Sequence, residues 1–226
     1  MHEGHRKRLR ETFLKNGLDN FQSHNVLEML LFYTIPRSDT NETAHRLMDR
    51  FGSLSAVLEA PVDELMKVKG VGERTAAFLH LIPEITRVYL KDKQENIKVL
   101  DTPEKVAAYL LPYFVGKTKE NIVLLCLDNK CAVKNCCIVA EGSVNMGEIN
   151  RRNLVELAIR SNASSVIIAH NHPNGVPAPS KEDVETTLML VSLFSSIDVK
   201  LTDHIIVAGG DWCSMASSAK FAPVFQ

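Results

Sequence analysis

The sequence predicts two domains of different class: a small all-α domain over residues 1–98, then an α/β domain over 99–226 whose mixed sheet is covered by helices. Three observations carry this expectation. Residues 1–90 show apolar residues at helical spacing, with short punctuations and no alternation of the β type. A polar stretch, KDKQENIKVLD at 91–101, then interrupts the pattern. Beyond it, apolar runs of strand length alternate with amphipathic helical segments.

In the first domain, VLEMLLFYTI places Val26, Leu27, Leu30, Leu31 and Tyr33 on one side of a helix that Pro36 ends. Thr40 or Asn41 caps the next helix, and Ala44, Leu47, Met48 and Phe51 form its stripe before Gly52 stops it. Ser53 starts LSAVLEA, Pro61 starts VDELMKV, and the turn KGVG precedes ERTAAFLHLIPEITRVYL. These pieces are too short to be stable alone, so they must pack into one bundle. In the second domain TPEKVAAYLLPYF reads as a helix, and ENIVLLCLD and CAVKNCCIVAEG read as strands joined at Asn129-Lys130. RRNLVELAIRSN is helical, SSVIIAH is a short buried strand, and PSKEDVETTLMLVSLFSSI is a helix. VKLTDHIIVAGG gives a last strand or pair of strands.

Composition narrows the function classes. The chain of 226 residues carries 26 basic and 27 acidic groups, a net charge of −1 that singles out neither a nucleic-acid nor a membrane partner. The first hundred residues hold 15 basic against 14 acidic groups, so the balance is even there too. No stretch approaches the ~18 apolar residues that span a bilayer. The charged opening MHEGHRKRLRETF lacks the apolar core of a secretory signal. Five cysteines with no C-x-x-C pair fit reduced thiols, so a cytoplasmic location is expected.

The informative segment is His170-Asn-His172-Pro-Asn-Gly-Val-Pro-Ala-Pro-Ser180-Lys-Glu-Asp183. The apolar run Val166 to Ala169 leads into His170, so both histidines stand at the C-terminal end of a buried strand. Side chains two apart point to the same side, and two imidazoles can converge on one ion. The stiff loop with Pro173, Gly175, Pro177 and Pro179 can return Asp183 as a third ligand. Ser180 with Asp183 is also a plain helix cap of the Ser-x-x-Asp type, which would itself fix Asp183 in space. Three protein ligands point to a catalytic rather than a structural zinc, with water acidified to a pKa of roughly 7 for hydrolysis. The patterns H-E-x-x-H and H-x-E with P-C-x-x-C, which mark other zinc enzymes, do not occur.

The phrase H-x-H-x7-S-x2-D resembles the signature of the JAMM (MPN+) zinc hydrolases, and the flanks AHNHPNG…PS..D…T and DHIIV resemble the RadC family over essentially the whole chain. The resemblance implies an α/β JAMM/MPN-like domain after a helix-hairpin-helix domain. It implies one zinc per chain on His170, His172 and Asp183, with Ser180 steadying the tetrahedral intermediate. The family's general base is a glutamate near the first strand of the domain, which falls on Glu120; Glu141 and Glu148 are the alternatives. The substrate expected is a protein or peptide, cleaved at an amide or isopeptide bond. Where RadC-like sequences read Pro-Arg-Glu, this chain reads Arg151-Arg152-Asn153, which removes a carboxylate at Asn153. His204 matches the family and reads as a structural or supporting residue.

In the helical half, Val68-Lys69-Gly70-Val71-Gly72-Glu73-Arg74 has the form of a helix-hairpin-helix turn. Glycines allow the tight turn, Val71 plugs the core, and N–H groups at the following helix start can hold a phosphate. Lys69, Gly70, Gly72 and Arg74 are the candidate contacts to duplex DNA, made to the backbone without reading bases. Two other readings stand beside the hydrolase: a DNA-associated accessory protein of repair or recombination with a weak or vestigial metal site, and a metal-dependent nuclease.

Overall fold

The computed structural model describes residues 2–36, 38–94, 99–142, 150–173 and 175–225. Their contacts divide the chain into two compact units, Met1–Thr86 and Arg87–Gln226, with the division inside one helix, α6 (Glu73–Gln94). Among the described residues no helix is long and apolar enough to cross a membrane.

The first unit is helical throughout: α1 (His2–Asn16), α2 (Ser23–Phe32), α3 (Asn41–Phe51), α4 (Leu54–Glu59), α5 (Val62–Met66) and the start of α6. Local chemistry sets the boundaries. Gly52 ends α3 in the left-handed region at φ 85°, and the Ser53 hydroxyl accepts the Ala56 N–H to open α4. The short helices share one core of Leu27, Leu31, Leu47, Val57, Leu65, Val68, Val71 and Leu79. Tyr33, expected on the buried side of α2, lies one residue past its end and is 63% exposed. The basic face of α1 is partly engaged: the Arg6 guanidinium donates to the carbonyls of Ile35, Pro36 and Ser38.

The second unit contains α7 (Pro103–Phe114), β1 (Asn121–Leu127), β2 (Val133–Glu141), α8 (Arg151–Arg160), β3 (Ser165–Asn171), α9 (Lys181–Ser195), β4 (Lys200–Ala208) and β5 (Asp211–Ser214). The five strands form one mixed sheet in the order β2-β1-β3-β4-β5. The β3–β4 pair is parallel, joined through α9, and the other three pairs are antiparallel. Strand alternation sorts two cores. Ile122, Leu124, Cys126, Val166, Ile168 and Ile206 meet Leu154 and Ala158 of α8 and Leu190 and Phe194 of α9. Val123, Leu125, Ile167, Ala169, Ile205 and Val207 meet Val106 and Leu110 of α7 on the other face. With both faces covered, β1 is buried at every position, which is why its sequence is a continuous apolar run.

One boundary differs from the sequence expectation, and one open alternative is settled. The β1–β2 turn spans Asp128 to Ala132 rather than Asn129-Lys130 alone: the Asp128 carboxylate accepts the N–H groups of Lys130 and Ala132, and Cys131 takes φ 57°. A side chain that caps its own turn outweighs the two-residue hairpin signal. The segment 199–210 holds β4 only, and its partner β5 begins after Gly209-Gly210.

Candidate metal centre

Three elements of the second unit deliver the site. His170 sits in β3, in register with Ile122 of β1 and Ile206 of β4, and is fully buried. His172 follows the end of the strand, where its N–H donates to the Val207 carbonyl at 2.7 Å. At Gly175 the loop passes so close that a Cβ would lie 3.1 Å from the His172 Cβ. Asp183 is in the first turn of α9, 1% exposed, inside a complete capping box. The Ser180 hydroxyl accepts the Asp183 N–H at 3.0 Å, and the Ser180 N–H donates to Asp183 Oδ2 at 2.8 Å. The cap and the ligand are therefore one device, because the box holds the carboxylate where the helix N-terminus also favours its charge.

The ligand atoms converge. His170 Nε2 and His172 Nε2 are 2.9 Å apart, His170 Nε2 is 3.1 Å from Asp183 Oδ1, and His172 Nε2 is 3.5 Å from Asp183 Oδ2. Ligands about 2.0–2.1 Å from a tetrahedral zinc stand roughly 3.3 Å from one another, so the spacing fits such an ion. Among the described residues this trio is the cluster of histidine and carboxylate groups able to hold a metal.

Hydrogen bonds fix which nitrogens carry protons. Thr187 donates its hydroxyl proton to the Asp183 carbonyl at 2.6 Å and stands 2.7 Å from His204 Nδ1, so it must accept from that nitrogen. His204 Nε2 is then the acceptor of the 2.8 Å bond from His170 Nδ1. That leaves the His170 Nε2 lone pair facing Asp183. On the other ring, His172 Nδ1 donates to the Val176 carbonyl at 3.0 Å, which frees Nε2 in the same way. Two lone pairs and a carboxylate at this distance repel unless a cation, a proton or a metal ion, lies among them. Burial alone would raise the Asp183 pKa, but when that cation is a proton on His170, its hydrogen bond and charge, with the bonds from Ser180, hold the carboxyl below the usual carboxylate range. Burial, then the neighbouring His170, pushes His204 down to about 3, which keeps it neutral in its relay. His204 is held in turn by Asp203, whose carboxylate accepts its N–H at 2.7 Å, the Ala216 N–H at 2.9 Å and the Ser214 hydroxyl at 2.5 Å.

Glu120 precedes β1 and is partly buried. The β1–β3 ladder closes with Ile122 opposite His170, and Glu120 lies two residues before that pair in the lead into β1. Glu141 pairs with Asn121, which alternation puts on the opposite face, and it makes a 3.3 Å ion pair with Lys119. Glu148 lies outside the described residues. Asn153 is exposed on the first turn of α8, where its N–H donates to the capping Asn150 side chain. A groove of about 300 Å³ opens beside Ser180, lined by Pro179, Lys181, Val184, Glu185, Lys220 and Phe221.

In the helical unit, Gly70 has φ 96°, and a Cβ there would meet the Thr43 hydroxyl at 2.9 Å, so both conformation and space require glycine. Val71 is 6% exposed in the core, while Lys69, Gly72 and Arg74 are exposed at the turn that leads into α6. Lys67, beside them, is tied to Glu64.

Sequence reasoning gave Thr187 and Asn171 no role. Their only signal was a polar side chain at a position whose periodicity calls for burial. Residues 100–220 match the family described as RadC-like JAB domain, and residues 3–77 match the one described as UPF0758 N-terminal. UPF0758 protein FN0909 of Fusobacterium nucleatum is 33% identical, with 94% of this chain and 94% of the relative covered. The match over more than half of the length, on a mixed α/β unit that carries the histidine–aspartate cluster, places the chain in the RadC-like JAB domain family.

Proposed function

We propose that this chain is a zinc-dependent hydrolase that cleaves an amide or isopeptide bond in a peptide or protein. The observation that carries the reading is the convergence of His170 Nε2, His172 Nε2 and Asp183 with their lone pairs locked inward by Val176, His204 and Thr187. His170 and Asp183 are sealed from solvent, whereas the His172 side chain is 18% exposed, so the site opens on that side. Zinc held by three protein ligands supplies Lewis acidity toward a carbonyl and toward water. The other roles fall to the chain's own groups. The Glu120 carboxylate takes the proton of the attacking water and returns it to the departing nitrogen. The Ser180 hydroxyl accepts the Asp183 N–H and keeps its own proton to donate to the oxyanion. The groove beside Ser180 gives a peptide chain room to lie against the site.

The test is Glu120→Gln. It should keep the zinc content of the parent and lose ~10²–10⁴-fold in hydrolysis, the scale of a removed general base. Full retention of activity on a substrate that the parent cleaves would refute the assignment of Glu120. For the helical unit we infer weak duplex DNA binding at the 68–74 turn, supported by exposed Lys69 and Arg74 beside the N-terminus of α6.

A further inference from the structure

Asn171 stands between the two imidazole-bearing residues, and alternation turns its side chain to the opposite face of β3. It is 4% exposed, and among the described residues its side-chain hydrogen bonds run to the segment that leads into β1. Its Oδ1 accepts the Asn121 N–H at 2.7 Å. Its Nδ2 donates to the Lys119 carbonyl at 3.0 Å and to the Lys117 carbonyl at 3.4 Å. The Lys119 carbonyl and the Asn121 N–H belong to the two peptide groups on either side of Glu120. Asn121 reinforces the grip by donating its own Nδ2 to the Lys119 carbonyl at 2.9 Å, and the Glu120 carbonyl accepts the Gly142 N–H at 2.9 Å.

The segment between α7 and β1 has no helix or strand of its own to hold it. Where a catalytic carboxylate lies depends on how its backbone is held, and ~1 Å of misplacement can cost on the order of 100-fold in rate. We propose that Asn171 is a positioning residue for Glu120: one buried amide, fixed to β3 between the metal-ligating histidines, clamps both peptide groups that flank the base. The base and the ligands are thus indexed to the same three-residue stretch of strand. An amide is suited to this task because it presents an acceptor and two donors in one plane, while a carboxylate has no donor and a serine hydroxyl is too short. The proposal rests on the reading of Glu120 as the general base.

The test uses the full zinc-loaded chain, with Asn171→Ala, Asn171→Asp, Glu120→Gln and the Asn171→Ala/Glu120→Gln pair. Asn171→Asp keeps the shape and the acceptor, so it serves if the alanine variant folds poorly. Zinc content should be unchanged, and amide hydrogen exchange should accelerate at 119–122 while α9 and β4 hold. On a mixture of internally quenched peptides and lysine isopeptides, Asn171→Ala should lose ~10–100-fold in kcat with KM within about twofold. Added to Glu120→Gln it should cost nothing further, because the clamp acts only through the base. If Glu120→Gln is inactive while Asn171→Ala keeps the parent's kcat or exchange pattern, the clamp is refuted and the base stands. If the parent cleaves nothing, or Glu120→Gln retains full activity, the reading beneath the proposal falls and the clamp falls with it.

Discussion

Replacing Thr187 with valine removes one hydroxyl from the site without changing the size of the side chain. In the parent that oxygen accepts from His204 Nδ1 at 2.7 Å and donates to the Asp183 carbonyl at 2.6 Å. Without it, the His204 Nδ1–H is buried with no partner, which costs ~1–3 kcal/mol. The ring escapes by taking the other tautomer, but His204 Nε2 then carries a proton and must donate to His170 Nδ1. The His170 proton is forced onto Nε2, the atom that faces Asp183 and must offer a lone pair. Loss of partners of this kind weakens metal binding ~10–100-fold, which is about 1.4–2.7 kcal/mol. The assay is competition for zinc against a chromophoric chelator, with parent and variant side by side. The control is Thr186→Val, one residue earlier on the same helix, where the buried hydroxyl has no hydrogen-bond partner among the described residues. That change should leave zinc affinity alone. If Thr187→Val binds zinc as tightly as the parent, the relay does not set the tautomer of His170 and the argument for it is wrong.

Two further outcomes follow from geometry elsewhere in the chain. Changing Lys69 and Arg74 together to Glu in the full chain should abolish weak, sequence-independent duplex binding, measured by titration of labelled DNA at low and moderate salt; each neutralised phosphate contributes about 0.9 to the salt slope. An absence of binding by the parent at low salt would make the 68–74 turn a packing or protein-docking element. Cys131→Gly should stabilise the second unit by up to about 1 kcal/mol, because it relieves a left-handed residue at φ 57° while the backbone bond from Leu100 to its carbonyl remains. Urea denaturation checks this, and a loss of stability would show that the Cys131 side chain contributes more than its strain.

The convergence of His170, His172 and Asp183 was legible in sequence because its constraints are local. A two-residue spacing on a strand aims two imidazoles together, and a capping box fixes the aspartate three residues past the serine. Fold class was legible for a similar reason, since helical and strand periods are read over short windows. What stayed hidden depends on contacts between distant segments. Thr187 matters because β4 brings His204 against α9, and Asn171 matters because β3 lies beside the lead into β1. The β1–β2 turn departs from the dipeptide signal because the Asp128 side chain, not the two residues after it, organises the loop. Tyr33 is exposed because α2 ends at Phe32, short of its apolar pattern.

The central claim is that His170, His172 and Asp183 hold one zinc ion, and elemental analysis of the purified full chain after exposure to zinc tests it most directly. The companion sample is the His170→Ala/His172→Ala double variant, with circular dichroism to verify that it is folded. If the claim holds, the parent carries about one tightly held zinc per chain and the folded variant none. Equal zinc in both proteins, or a folded parent that takes up none, would contradict it.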